Sequence, residues 1–151
     1  MYPADTLTRA MWSAQAEIET PAQAAAVWAL WENPVRWQDW NAQITSAELD
    51  GPFAVGTIAR IRFKRRPRPL DFTITAVDPG RLFVDETRLP GARLGHEHRL
   101  HVDGQTTKIS HRLYFDGPAE KIYALLMGRQ LRAAVRGFVA CEREIVERPA
   151  A

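Results

Sequence analysis

All four histidines of the chain fall between positions 96 and 111, in the stretches LGHEHRLHV and TKISHRLYF. In an extended strand successive side chains point to opposite faces. Leu94, His96, His98, Leu100 and Val102 therefore share one face, opposite Arg93, Glu97, Arg99 and His101. Ile109, His111, Leu113 and Phe115 likewise share a face, opposite Lys108, Ser110, Arg112 and Tyr114. The faces that mix apolar residues with histidine are the ones expected to turn inward. Val-Asp-Gly-Gln links the two segments. A two-residue type I′ turn centred on Asp103-Gly104 would set Val102 against Gln105, His96 against His111 and His98 against Ile109. Directly opposed Cβ atoms lie about 5 Å apart and diagonal ones about 7–8 Å, so three imidazoles are expected on one face. A bulge within 93–102 would reverse the parity and disperse them.

Imidazole exchanges protons near neutral pH, which suits general acid–base work or a hydrogen bond to a carbonyl or phenol ligand. His98 and His111 are the candidate catalytic pair. The plainer alternative is a polar patch in which the histidines satisfy one another. His-x-His with a third histidine on the next strand is also the donor set of a three-histidine zinc site. No carboxylate on that strand face is evident to orient the rings, so no metal is expected. Asp71, Asp85 and Glu86 are further titratable candidates. Leu82 and Val84 argue that Glu86 faces inward, and Phe83 argues for Asp85, so alternation leaves both open. A buried carboxylate there would need a partner, with Arg88 or Arg60 in reach. No Ser-His-Asp or Cys-His arrangement and no Gly-rich phosphate loop is visible. Cys141, the sole cysteine, lies on an apolar helical stripe and reads as inert core.

The elements that must hold these residues follow from periodicity. WSAQAEIE, residues 12–19, reads as a first strand. Thr20-Pro21 reads as a helix start, with Thr as N-cap and Pro at the first helical position, and Asn33-Pro34 stops that helix. A short second helix over 34–40 places Trp37 and Trp40 on one face. Period two then takes over. Strands are expected at 43–50, 57–65, 69–77, 82–89, 93–102 and 105–115, separated by Gly, Pro and Asp turn signals. Short links between six consecutive strands imply an antiparallel meander. Over 118–147, Tyr123, Met127, Leu131, Ala134, Phe138, Cys141 and Ile145 form one apolar stripe. A long helix with one such stripe needs a sheet face to lie on.

The chain has 151 residues, 46% hydrophobic and 25% charged, which fits one soluble domain over 1–151. A net charge of +2 does not announce a nucleic-acid binder. Lys64-Arg65-Arg66-Pro67-Arg68 reads as a solvated hairpin tip, with an anion contact as the alternative. No apolar run approaches the length of a membrane span. MYPADTLTRAMW lacks the basic-then-apolar order of a signal peptide, so a cytoplasmic protein is expected.

Four of the five tryptophans lie in WALWENPVRWQDW, residues 28–40. Trp28 and Trp31, beside Val27 and Leu30, read as helix-to-sheet core. Trp37 and Trp40 sit in a charged segment with little else apolar and are candidates to face a ligand.

The element order resembles the START-type helix-grip superfamily (SRPBCC), in its polyketide cyclase/dehydrase-like branch. The likeness is carried by NPVRWQDWNAQI after the early helix, by LDGPFAVGT, by ITAVDPGRLFVDETRLPGARLGHEHRL, and by HRLYFDGP leading into the final helix. It implies an α+β helix-grip fold. A curved seven-stranded antiparallel sheet would wrap a long C-terminal helix, with two short helices between strands 1 and 2. It also implies an apolar cavity between sheet and helix, no cofactor, and no universal catalytic motif. The expected ligand-lining residues are Trp37, Trp40, Phe63, Phe72, His96, Tyr123, Met127 and Leu131. The expected function is binding of an apolar or aromatic small molecule, such as a lipid, polyketide or quinone. The alternative is a cyclase/dehydrase-type enzyme using cavity histidines as acid and base. A third class is a protein-interaction module built on the basic hairpin. Small apolar molecules are the expected partners; nucleic acid and stable membrane insertion are not, and a homodimer is left open.

Overall fold

The computed structural model describes residues 12–149. Strand β1 (Trp12–Thr20) leads to helix α1 (Ala24–Trp31), a 3-10 turn (Pro34–Arg36) and the one-turn helix α2 (Trp37–Trp40). Six strands follow: β2 (Ile44–Leu49), β3 (Ile58–Phe63), β4 (Leu70–Asp78), β5 (Leu82–Leu89), β6 (Ala92–Asp103) and β7 (Thr106–Asp116). The chain then enters one long helix, α3 (Glu120–Glu147). All neighbouring strands are antiparallel, in the order β1-β7-β6-β5-β4-β3-β2. This is the α+β helix-grip arrangement expected, with both short helices between the first two strands.

Two local expectations are corrected. Thr20 does not cap a helix. It is the last residue of β1, paired with Thr107, and its Oγ1 accepts from Ala22 N and donates to Glu147 Oε1. Helix α1 starts at Ala24, behind Gln23, with no side-chain cap. Strand pairing outcompetes the Thr-Pro start because β7 offers Thr20 a ladder partner. The β6–β7 turn is also displaced. Its central residues are Gly104, at φ +62°, and Gln105, and no non-glycine residue among those described has positive φ. Type I′ needs left-handed backbone at both central positions, whereas type II′ needs it only at the first. The chain takes the second pattern. The register slides by two residues, so His98 opposes His111 and His96 opposes Leu113. A two-residue slip preserves the faces. β6 and β7 pair without interruption from Arg93 to Asp103, and bulges occur instead in β2 and β4.

Helix α3 packs chiefly on β1 and β7. Its buried positions include Leu131, Val135, Phe138 and Val139, and also Glu142. The core continues through Val27, Trp28, Leu30 and Trp31 of α1 and Trp37 and Trp40 of α2. Trp31 is fully buried. A side chain of that size contributes roughly 4–6 kcal/mol of transfer free energy at 25 cal/mol per Å².

Candidate functional site

The inner face of β5, β6 and β7 carries four titratable side chains, Asp85, His96, His98 and His111, in an aromatic setting. The pairing of β5 with β6 sets Phe83 against His98 and Asp85 against His96. Asp85 therefore shares the histidine face, and Glu86 points to the outer face, where it accepts from Tyr114 Oη at 2.7 Å. Neither Arg88 nor Arg60 meets Asp85; Arg60 pairs with Asp71.

The rings are ordered by stacking. His96 lies on His98 with centroids 3.7 Å apart, and His98 lies on Phe83 at 3.6 Å. Trp31 meets His98 and His111 edge-on, and Trp40 lies close to all three histidines. Each offset or edge-on aromatic pair adds about 0.5–1.5 kcal/mol beyond area burial.

A hydrogen-bonded chain threads this stack. Trp31 Nε1–H donates to Glu142 Oε1 at 2.6 Å. His111 Nε2 bonds Glu142 Oε2 at 2.8 Å, and His111 Nδ1 bonds His96 Nε2 at 2.7 Å. His98 Nδ1–H reaches the Phe83 carbonyl at 3.3 Å. Glu142 sits on α3 at the C-terminal end of its buried stripe. A carboxylate in step with Leu131, Val135 and Phe138 is the signal that could have singled it out, whereas the stripe drawn through Cys141 passed beside it.

Burial sets the protonation states. Desolvation, then the neighbouring His111, holds His96 well below the ordinary imidazole range. Desolvation, then His96 and His111, does the same to His98. Desolvation, then Glu86, pushes the Asp85 carboxyl up to about 8. At neutral pH Asp85 is thus a proton donor beside two neutral imidazoles.

A pocket of about 40 Å³ opens on this group, lined by Trp37, Trp40, Asn41, Ile44, Ile61, Phe63, Phe72, Asp85, His96 and His98. Seven of the residues singled out from sequence come together there: Trp37, Trp40, Phe63, Phe72, Asp85, His96 and His98. His111 is wholly buried behind His96 and does not line it. Tyr123, Met127 and Leu131 stand elsewhere along α3. Tyr123 stacks on Phe115 and donates to the Pro90 carbonyl, Leu131 is core, and Met127 packs at the core's edge. The pocket lies between the sheet and α2, and beside it Phe138 of α3 packs against Trp40 and His111. Two buried atoms on the pocket's lining residues, Asp85 Oδ1 and Trp40 Nε1, have no hydrogen-bond partner among the described residues. Trp37 Nε1–H, by contrast, donates to the Trp31 carbonyl at 2.7 Å.

A family model described as polyketide cyclase / dehydrase and lipid transport matches residues 11–142. The chain belongs to this family. Truncated norcoclaurine synthase from Thalictrum flavum is similar in structure at TM-score 0.71 and 14% identity, over 92% of this chain and 95% of that one. The same enzyme in complex with dopamine and hydroxybenzaldehyde is similar at TM-score 0.62 and 19% identity, over 93% and 89%. Aha1 from Colwellia psychrerythraea, solved in solution as a dimer, is similar at TM-score 0.66 and 13% identity, over 91% and 97%. At these identities the likeness is one of fold. No curated protein sequence matches significantly. Among the described residues, no helix of this family member is long and apolar enough to cross a membrane.

Proposed function

We propose that this protein binds a compact, neutral aromatic or carbonyl-bearing molecule against Asp85, Trp40, His96 and His98. The observation that carries the reading is the pair of unpartnered buried groups, Asp85 Oδ1 and Trp40 Nε1, on residues that line one aromatic-walled pocket. A buried polar group without a partner costs about 1–3 kcal/mol. A ligand carbonyl or phenol that satisfies both would recover that cost as affinity. Neutral imidazoles and a protonated carboxyl suit an uncharged ligand. The fold relative that holds dopamine and hydroxybenzaldehyde supports the choice of small phenols and aromatic aldehydes as probes. Small-molecule sites usually enclose roughly 300–1,000 Å³, far more than the 40 Å³ here. A ligand of that size therefore has to displace part of the pocket wall.

The test is a titration of metal-free protein with small phenols and aromatic aldehydes, followed by amide and indole proton NMR. A downfield shift of the Trp40 indole N–H, together with shifts at residues 83–85 and 96–98, is expected. Probes that leave the Trp40 indole unmoved would sink the reading.

The Glu142–His111–His96 chain supports a second reading, proton transfer at a bound carbonyl. In this reading His96 faces the ligand and His111, buried behind it, is a positioning residue. Deuterium exchange at the carbon alpha to a bound ketone, lost in His96→Gln with binding retained, is the expected result. Equal exchange in the variant ends it.

A further inference from the structure

We infer that His96, His98 and His111 form a binding site for a divalent transition-metal ion, of which Zn²⁺ is the best match. One ring nitrogen from each histidine lies within 4.8 Å of the others. On a tetrahedral ion at about 2.0–2.1 Å each, the three donors would stand about 3.3 Å apart, so side-chain rotation has to bring the wider pairs together.

The arrangement around the donors is more telling than the donors themselves. A metal-bound histidine almost always gives its other ring nitrogen to a carboxylate or a backbone carbonyl, which fixes tautomer and orientation. Two of the three rings already have such a partner. His111 Nε2 is held by Glu142, leaving Nδ1 to face the cluster. His98 Nδ1 is held by the Phe83 carbonyl, leaving Nε2 for the ion. Glu142 is itself fixed by the Trp31 indole. The orienting carboxylate that β6 and β7 lack is supplied by the helix layer, 31 residues away in sequence.

His96 Nε2 and His111 Nδ1 share a hydrogen bond of 2.7 Å. Two nitrogens bound to one tetrahedral ion sit about 3.3 Å apart. Loading therefore requires a separation of roughly 0.6 Å between these nitrogens, and a His96 tautomer whose proton is on Nδ1. His96 lies at the pocket and is the least buried of the three rings, so it is the ring best placed to adjust. Burial favours neutral imidazole, the form that ligates. The three rings come from two adjacent strands, which leaves the fourth position open toward the pocket, where Asp85 stands. Three histidines with one open position make a reactive rather than a purely structural zinc site.

The inference is independent of the organic-ligand reading, since it is tested with the ion alone. Tag-free, chelator-treated full chain is dialysed against Zn²⁺ and the bound metal counted, and Co²⁺ absorption reports the coordination geometry. One ion per chain is expected, with the intense visible bands of tetrahedral, nitrogen-bound Co²⁺. His96→Gln and His98→Gln should each weaken binding at least tenfold, and Glu142→Gln by about 10- to 100-fold. His101→Gln, on the exposed outer face, should leave binding unchanged. The inference is overturned if Co²⁺ gives only weak octahedral bands, or if the His96→Gln/His98→Gln pair binds as much Zn²⁺ as the parent chain. It is likewise overturned if His101→Gln removes the ion. The Co²⁺ spectrum of the unmodified chain decides the matter even where a core variant fails to fold.

Discussion

His111 on β7 and Glu142 on α3 are both wholly buried, and their side chains meet at 2.8 Å across the two layers of the fold. This contact ties the sheet to the helix and gives a buried carboxylate two donors, the imidazole and the Trp31 indole. Breaking such a pair from one side strands the other group. His111→Leu or Glu142→Leu alone should cost about 3–5 kcal/mol in urea unfolding. The double variant should cost less than the sum, by about 1–3 kcal/mol. Strict additivity would mean that the two groups are not coupled.

Asp85 should make stability depend on pH with a definite sign. Its folded pKa of about 8 stands above the ordinary 3.8. Below the lower value the carboxyl is protonated in folded and unfolded chains alike, and burial carries no penalty. As pH rises, the unfolded chain ionises first, so stability falls until the folded carboxyl also ionises. Asp85→Asn removes this term. In chelator-treated protein, the variant should gain on the parent between pH 5 and pH 8, by at most about 4 kcal/mol. His96 and His98, held below their ordinary range, act oppositely, and their contribution is lost as pH falls below 6.5. A pH-independent difference between parent and variant would show that Asp85 is ionised in the folded chain.

The pocket should enlarge when a wall residue is shortened. Phe72 is 7% exposed and lines it with Phe63 at 6.3 Å. Phe72→Ala should lower stability by about 3–5 kcal/mol and leave an apolar void next to the existing space. Indole or toluene at a hundred times its dissociation constant should restore about 2.7 kcal/mol. A variant that loses stability but gains nothing from the probe has collapsed inward, and the wall is then not rigid.

The fold was largely legible because period-two alternation and Gly-Pro turn signals are local. Pro90-Gly91 and Asp78-Pro79-Gly80 mark turns where the residues themselves require them. The histidine faces do not depend on the register, since sliding β6 on β7 by two residues exchanges partners but not sides. What could not be read were the relations between layers. Nothing local in β7 reveals that Glu142 will meet His111, because that depends on the azimuth of α3 over the sheet. Asp85 against Glu86 was open for a similar reason: Leu82, Phe83 and Val84 are all buried, so apolarity marks neither face. Thr20-Pro21 carried a true helix signal that a ladder partner, Thr107, overrode.

Gly95 on the outer face is a test of packing rather than chemistry. It pairs with Tyr114 on β7 and with Glu86 on β5. The Tyr114 ring lies flat over it, so a Cβ added at 95 would come within 2.0 Å of the ring. The Tyr114 hydroxyl also donates to Glu86, which Arg93 approaches at 3.5 Å. Gly95→Ala must push the tyrosine off this seat and should cost about 1–3 kcal/mol. In a Tyr114→Ala background the obstacle is gone. The same change should then be neutral or stabilising by about 0.5–1 kcal/mol, since Ala restricts the unfolded strand more than Gly. Thermal unfolding of the four chains completes the cycle. An equal cost of Gly95→Ala in both backgrounds would show that the glycine answers to backbone strain and not to the ring above it.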